Sequence, residues 1–266
     1  MKMILMTVTG VMLAGISLSA RAEDVAERPL PTVETVLKRI VESTKQESEH
    51  DRAFNQRYSY TRTRAMEFRN SKGELKKREE RISHNTPAAV PVAYRTQPAE
   101  AGAEGEKEER KSSPVTETNS NVRGKAFEKK DFSVNDDLLA RFEFTMGGRE
   151  LVNGRPMLIL DFKPGNRKLP ERNIKDRFLN KAAGRIWVDE TDGVLAKVDV
   201  HLTDNVNVVG GLVGAVWKFS YSFNRERLPD GFWFTRSVDW HLEGREVIFR
   251  RTVDFHEEKG DVRKSW

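Results

Sequence analysis

Strict alternation of apolar and polar residues dominates the second half of this chain. Between Ala196 and Thr203, the apolar set Ala196, Val198, Val200 and Leu202 interleaves with Lys197, Asp199, His201 and Thr203. A period of two sends alternate side chains to opposite faces of a strand, so one face is buried and the other is wet. The preceding run, Gly184 to Leu195, climbs to Asp192-Gly193, where glycine accepts the positive φ of a hairpin turn. Downstream, Trp217, Phe219, Tyr221 and Phe223 alternate with Lys218, Ser220, Ser222 and Asn224. After the turn Leu228-Pro229-Asp230-Gly231, one face collects Phe232, Phe234, Val238, Trp240 and Leu242. A turn at Glu243-Gly244 then sets Val247, Phe249, Val253 and Phe255 on the face of the last strand. Further strands are expected over 58–68, 74–84, 142–152 and 157–163, with turns at Lys72-Gly73 and Asn153-Gly154.

The period changes in three places. Thr32 is an N-cap for a helix whose Val33, Val36, Leu37, Ile40 and Val41 share one stripe, with a polar continuation to about Arg52. Ser133 or Asn135 caps a short helix through Leu139. Glu171 to Ala183 places Ile174, Phe178, Leu179 and Ala182 on one side and Arg172, Lys175, Arg177 and Lys181 on the other. That segment reads as a helix docked on the sheet or as a basic contact for a lipid surface. The glycine-rich apolar stretch from Val206 to Val216 is a bulged buried strand or a mobile apolar flap.

Residues 85–123 follow no period. They hold Pro87, Pro91, Pro98 and Pro114 and the charged run Glu104 to Lys111, and they cannot bury enough surface to offset their ordering entropy. They are expected to be a disordered insertion within one domain spanning 23–266, because neither flank alone has a complete core. At the N-terminus, Met1-Lys2, an apolar run and Ala20-Arg21-Ala22 form a secretory signal peptide over 1–22, with the mature chain starting at Glu23.

Composition narrows the partners. Cleavage after Ala22 removes Lys2 and Arg21 and no acid, lowering the formal charge of +5 by two. So mild a surplus does not point to nucleic acid. An exported chain with no cysteine has neither disulfides nor a lipidation thiol, which suits a bacterial periplasm. No other stretch is long and apolar enough for a stable membrane span.

Chemistry is sparse. There is no P-loop, dinucleotide fingerprint, Gly-x-Ser-x-Gly or His-Glu-x-x-His, so neither an enzyme nor a cofactor or metal is expected. Asp-x-His occurs three times, at Asp199/His201, Asp239/His241 and Asp254/His256. With the turn at Glu243-Gly244, His241 falls near the turn and His256 near the far end, so they read as solvated sheet residues. What remains is surplus apolar surface: Trp217, Phe219, Tyr221, Phe223, Phe232, Phe234, Val238, Trp240 and Phe249 need cover. Few helices are on offer, leaving a packed core or an elongated apolar cavity. Arg236, among the aromatics, must find an acceptor or reach water. Arg62 and Arg64, central in an otherwise apolar strand face, either meet a ligand or lie in solvent.

The phrase Gly-Arg-Ile-Trp-Val-Asp-Glu-Thr-Asp-Gly-Val-Leu-Ala-Lys-Val over 184–198, with Phe142 to Thr145, Val152 to Pro156 and Leu158 to Phe162, resembles the bacterial outer-membrane lipoprotein-sorting proteins of the LolA/LolB type. The resemblance covers 31–84 loosely and 131–255 better, and the insertion departs from it. It implies a mostly β, α+β fold: an antiparallel, unclosed half-barrel with helices over its concave face. It further implies a periplasmic carrier for lipid or lipoprotein acyl chains, or an envelope regulatory or scaffold protein of the same fold that binds a protein partner. On that reading the aromatics named above form an apolar cavity, with Arg236, Arg62 and Arg64 as polar contacts.

Overall fold

The computed structural model describes residues 28–87, 134–166, 171, 174–208, 214–246 and 248–265. The predicted signal peptide and most of the predicted insertion, 88–123, lie outside them, as does most of the glycine-rich stretch after Val208.

The strands are β1 (Tyr58–Arg69), β2 (Leu75–Asn85), β3 (Phe142–Val152), β4 (Arg155–Pro164), β5 (Ala182–Asp189), β6 (Leu195–Leu202), β7 (Val206–Val208), β8 (Gly214–Arg227), β9 (Trp233–Glu246) and β10 (Phe249–Lys264). They form one sheet in the order β2-β1-β10-β9-β8-β6-β5-β4-β3, with β7 beside the start of β8. Every pairing is antiparallel, as a chain of hairpins requires. The two ends of the path, β2 and β3, do not meet, so the sheet is an unclosed half-barrel.

Cover comes from short helices on one face. In α1 (Val33–Lys45) the Thr32 hydroxyl accepts from the Thr35 N–H at 3.3 Å, and Val36 and Ile40, both 1% exposed, face the sheet. Arg39 ties this helix to the β5–β6 turn by donating to the carbonyls of Glu190 and Thr191 at 2.8 and 3.0 Å. The helix does not run on as one solvated rod. It breaks at Gln46, and α2 (Glu47–Arg57) turns Phe54 inward to stack on Tyr58 and Phe234 at 5.2 and 5.0 Å. Asn135, not Ser133, caps α3 (Asp136–Leu139), accepting from the Leu138 N–H at 2.8 Å. The helix expected over 171–183 is shorter: α4 (Ile174–Leu179) ends before Ala182 and Ala183, which enter β5. It docks on the sheet through Phe178, whose ring meets Phe219 edge-on at 5.6 Å.

The register lays side chains out in transverse rows. One inner row runs Met146, Leu160, Ile186, Val198, Phe223, Val238, Glu257, Arg64 from β3 to β1. The outer row one residue away reads Thr145, Asp161, Arg185, Asp199, Ser222, Asp239, His256, Ala65. Of the register slips in the described ladder, three move side chains off the faces that the alternation in the sequence assigns them. The register slips between Trp187 and Val188 against β6, which turns Ala196 to the outer face with Met157 and Trp233 while Leu195 joins the inner core. A second slip, between Val216 and Lys218, leaves Trp217 without a partner in the ladder, and a third leaves Arg236 so.

Candidate functional site

Two inner-face regions differ in how completely they are filled. Along β8, β9 and β10, Phe219, Tyr221 and Trp240 are each 4% exposed, and Val216, Leu242, Val253, Phe255 and Phe178 close around them. This cluster is a packed core. Along β3 to β6 a second cluster around Leu158, Leu160 and Val188 is as deeply buried, and beside it a cleft of about 100 Å³ opens between α1, α3 and α4. Its floor is Ile186, Val198, Val200 and Phe223; Ile40, Leu138, Leu139 and Leu179 hang over it from the helices. Phe142, Phe144 and Phe162 form its rim, with ring centroids 5.1–6.2 Å apart. No charged side chain lines it, and the hydroxyl of Tyr221 is the one side-chain polar group among its walls. Such a surface offers apolar contact and no acid, base or nucleophile.

The residues expected to form a single cavity are dispersed. Phe223 and Tyr221 line the cleft, Val238 packs beside Phe223, Tyr221 also joins the filled cluster, and Phe219 and Trp240 sit in that cluster alone. Phe234, 1% exposed, belongs to a separate stack with Phe54 and Tyr58. Phe232 packs at the edge of that stack, beneath the Arg57 guanidinium at 5.0 Å. Trp217 is displaced by its bulge and meets Arg250 at 5.5 Å. Phe249 stands 65% exposed at the β9–β10 turn. The rim aromatics Phe142, Phe144 and Phe162 were legible as strand residues; what hid their role was the order of strands, which puts β3 and β4 at the sheet's far edge.

The polar candidates are held by carboxylates. Arg62 and Arg64 donate to one oxygen of Glu257, at 2.8 and 2.5 Å, on the inner face. Arg236 lies 3.0 Å from Glu258 and 4.0 Å from Glu226, on its bulge rather than among the buried aromatics.

The Asp-x-His pairs are closer together than the sequence suggested. The β9–β10 turn falls at Glu246–Phe249, not Glu243-Gly244, so His241 sits opposite Asp254 and His256 opposite Asp239. Their Nδ1 atoms lie 2.6 Å from the facing carboxylates, and His241 Nε2 lies 2.9 Å from Glu243. Ser220 and Ser222 of β8 separate them from His201 and Asp199 of β6. Lys218 and His241 hold Glu243 below the usual carboxylate range. Among the described residues no group of three or more histidine and carboxylate side chains is placed to hold a metal.

No family model matches the chain, and no curated protein matches it either. Among solved structures it is similar to a domain described as an outer-membrane lipoprotein-sorting protein from Vibrio parahaemolyticus, at 13% identity and a TM-score of 0.31, covering 86% of this chain and 93% of that one. It is also similar to a DUF1329 family protein from Desulfovibrio piger, at 16% identity and a TM-score of 0.28, over 84% and 91% of the two chains. A LolA superfamily protein from Nitrosomonas europaea aligns at 10% identity and a TM-score of 0.26, over 83% and 93%. At these TM-scores the similarity carries no argument, and the fold rests on the chain's own ten-stranded open sheet.

Proposed function

We propose that this protein is a non-catalytic carrier of the bacterial envelope that takes acyl chains of a lipid or lipoprotein into the cleft beneath α1 and α3, without a cofactor. The observation that carries the reading is the lining: fifteen residues from eight elements and one flank, none of them charged. At about 100 Å³ the cleft is smaller than the roughly 300 Å³ of ordinary ligand sites. It accepts the end of a chain, and a longer one requires the short α3 and the rim phenylalanines to move aside. Export by the predicted signal peptide and a periplasmic location belong to the same proposal. Among the described residues no helix is long and apolar enough to cross a membrane.

A second reading has an observation of its own. The cluster around Phe219 and Trp240 is filled, which suits a regulatory or scaffold protein that binds a protein partner rather than a lipid. Native mass spectrometry of the purified protein, with titration of a fluorescent fatty acid, separates the two. Leu139→Trp, which fills the cleft, should abolish probe uptake, whereas Phe219→Leu in the packed cluster should leave it within about twofold. A wild-type protein that carries no lipid and takes up no probe would overturn the carrier reading in favour of the partner-binding one.

A further inference from the structure

The end of the sheet where β9 turns into β10 has a surface that neither the cleft nor the packed core accounts for. Ile248 and Phe249, 77% and 65% exposed, are the most exposed large apolar side chains among the described residues, and they are neighbours at the hairpin tip. Arginines flank them. Arg250 and Arg251 follow directly, and Arg245 stands opposite Arg250 in the ladder. The Arg250 guanidinium lies over the Trp217 ring at 5.5 Å, so an indole stands behind the tip. The β1–β2 turn reaches the same end, because Arg69 pairs with Thr252 on one side and Leu75 on the other. It adds Lys72, Lys76 and Lys77 and a further exposed apolar residue, Leu75 at 47%.

Carboxylates are present near this end: Glu246 stands opposite Phe249 in the ladder, and Glu74 pairs with Lys76, Glu79 with Lys77, Glu67 with Arg69 and Arg78, Asp254 with Arg69, and Glu243 with Lys218. They temper the basic surplus without changing its sign. Shape decides the class of partner. Two adjacent side chains on a turn make a wedge, whereas a stable protein interface needs about 800 Å² on each side. A wedge of isoleucine and phenylalanine behind a collar of arginines and an indole is what enters the headgroup boundary of a bilayer.

We propose that this end of the sheet docks on an anionic lipid bilayer, with Ile248 and Phe249 inserted at the headgroup level and Arg245, Arg250 and Arg251 against lipid phosphates. The inference stands whatever the cleft holds. Sedimentation of the purified protein with phosphatidylcholine vesicles, and with mixed phosphatidylcholine–phosphatidylglycerol vesicles, tests it. Binding is expected to the mixed vesicles, weakening as salt rises. The double variant Ile248→Ser/Phe249→Ser should lose at least about tenfold in affinity, since shallow burial of two large apolar side chains is forfeited. Arg250→Gln should lose about fivefold. All these changes lie at exposed positions, and an unchanged circular dichroism spectrum confirms that the sheet survives them. Equal binding by the double variant, or no binding by wild type to mixed vesicles, overturns the proposal. So does concentration-dependent self-association that the double variant abolishes, because the tip is then a contact between copies.

Discussion

The two faces of the sheet differ by one residue of register and by nearly everything else. Val198, 7% exposed, and Asp199, its side chain 43% exposed, are chain neighbours in β6, and each continues a row across the sheet. The inner row reads Leu160, Ile186, Val198, Phe223, Val238; the outer reads Asp161, Arg185, Asp199, Ser222, Asp239. On the inner face the helices remove water, and stability rests on apolar burial. Among the described residues no helix covers the outer rows, and cross-strand pairs such as Arg185–Asp161 at 2.7 Å stand in solvent. A site that takes acyl chains has to draw on the first face. The outer rows hold most of the acids, bases and hydroxyls, many paired with one another, and the inner face carries charges of its own at the β1–β10 end, where Arg62 and Arg64 meet Glu257.

The sharpest way to break this contrast is to exchange the two chemistries at adjacent positions. Val198→Asp places an unpaired carboxylate under α1, where no cationic side chain lines the cleft. The cost should reach about 4 kcal/mol or more, a large share of a typical domain's stability. Asp199→Val removes one exposed partner of Lys197, at 2.9 Å, and should change stability by about 1 kcal/mol or less. Urea denaturation of both variants gives the comparison directly. Equal costs would mean that the outer row is buried in solution.

How much of this was legible beforehand follows from the same rows. Period-two alternation correctly separates Val198 and Val200 from Asp199 and His201, and it places Tyr221 and Trp240 on one face. Alternation assumes an unbroken ladder, and it fails wherever a bulge inserts a residue. Ala196, Trp217 and Arg236 are each misassigned for that reason, and nothing in their own side chains marks the slip. The Glu243-Gly244 pair looks like a turn, yet Gly244 continues β9. A Cβ there would stand 2.6 Å from the Ala215 carbonyl, so glycine serves close strand approach rather than reversal. Moving that turn by a few residues is what brings His241 to Asp254. The break at Gln46 that aims Phe54 at Phe234 was also hidden, because the second helix carries one buried apolar residue and little periodic signal.

The stack built on that break has a polar end that sharpens the comparison between burial and pairing. Tyr58, 4% exposed, donates its hydroxyl proton to Asp230, and Lys264 reaches the same carboxylate at 3.0 Å. Burial first, then the bond to Asp230, pushes the Tyr58 hydroxyl up to about 12. The same bond, with Lys264, holds Asp230 below the usual carboxylate range. A phenol whose folded value is raised keeps its contribution below the unfolded value near 10 and loses it as pH climbs from there to about 12. A carboxyl whose folded value is depressed contributes above about 4 and loses that as pH falls further. Tyr58→Phe should therefore cost about 1.5–3 kcal/mol at neutral pH, as for a hydrogen bond to a charged group. The gap between wild type and variant should narrow at both extremes of pH. A gap independent of pH would show that the ring's packing, not its hydroxyl, carries the effect.

The smallest expected effect tests whether the outer face has any chemistry of its own. His256 and Asp239 face each other across β10 and β9 at 2.6 Å, with side chains 48% and 45% exposed. If they are one solvated pair among many, a double-mutant cycle with His256→Ala and Asp239→Ala should give a coupling of about 0.2–1 kcal/mol, reduced by salt. The neighbouring pair of His241 and Asp254 makes the test more demanding, because the two form a reciprocal block whose pairs can reinforce each other. Repeating the cycle in an Asp254→Ala background should leave the coupling unchanged if each pair acts alone. Zinc added at a slight excess over protein should raise the melting temperature of neither wild type nor variant, since a metal bound only to the native state stabilises it. A coupling well above 1 kcal/mol, or a zinc-dependent shift lost in His256→Ala, would instead make this block of β9 and β10 a site in its own right, and the division of labour between the two faces would fail.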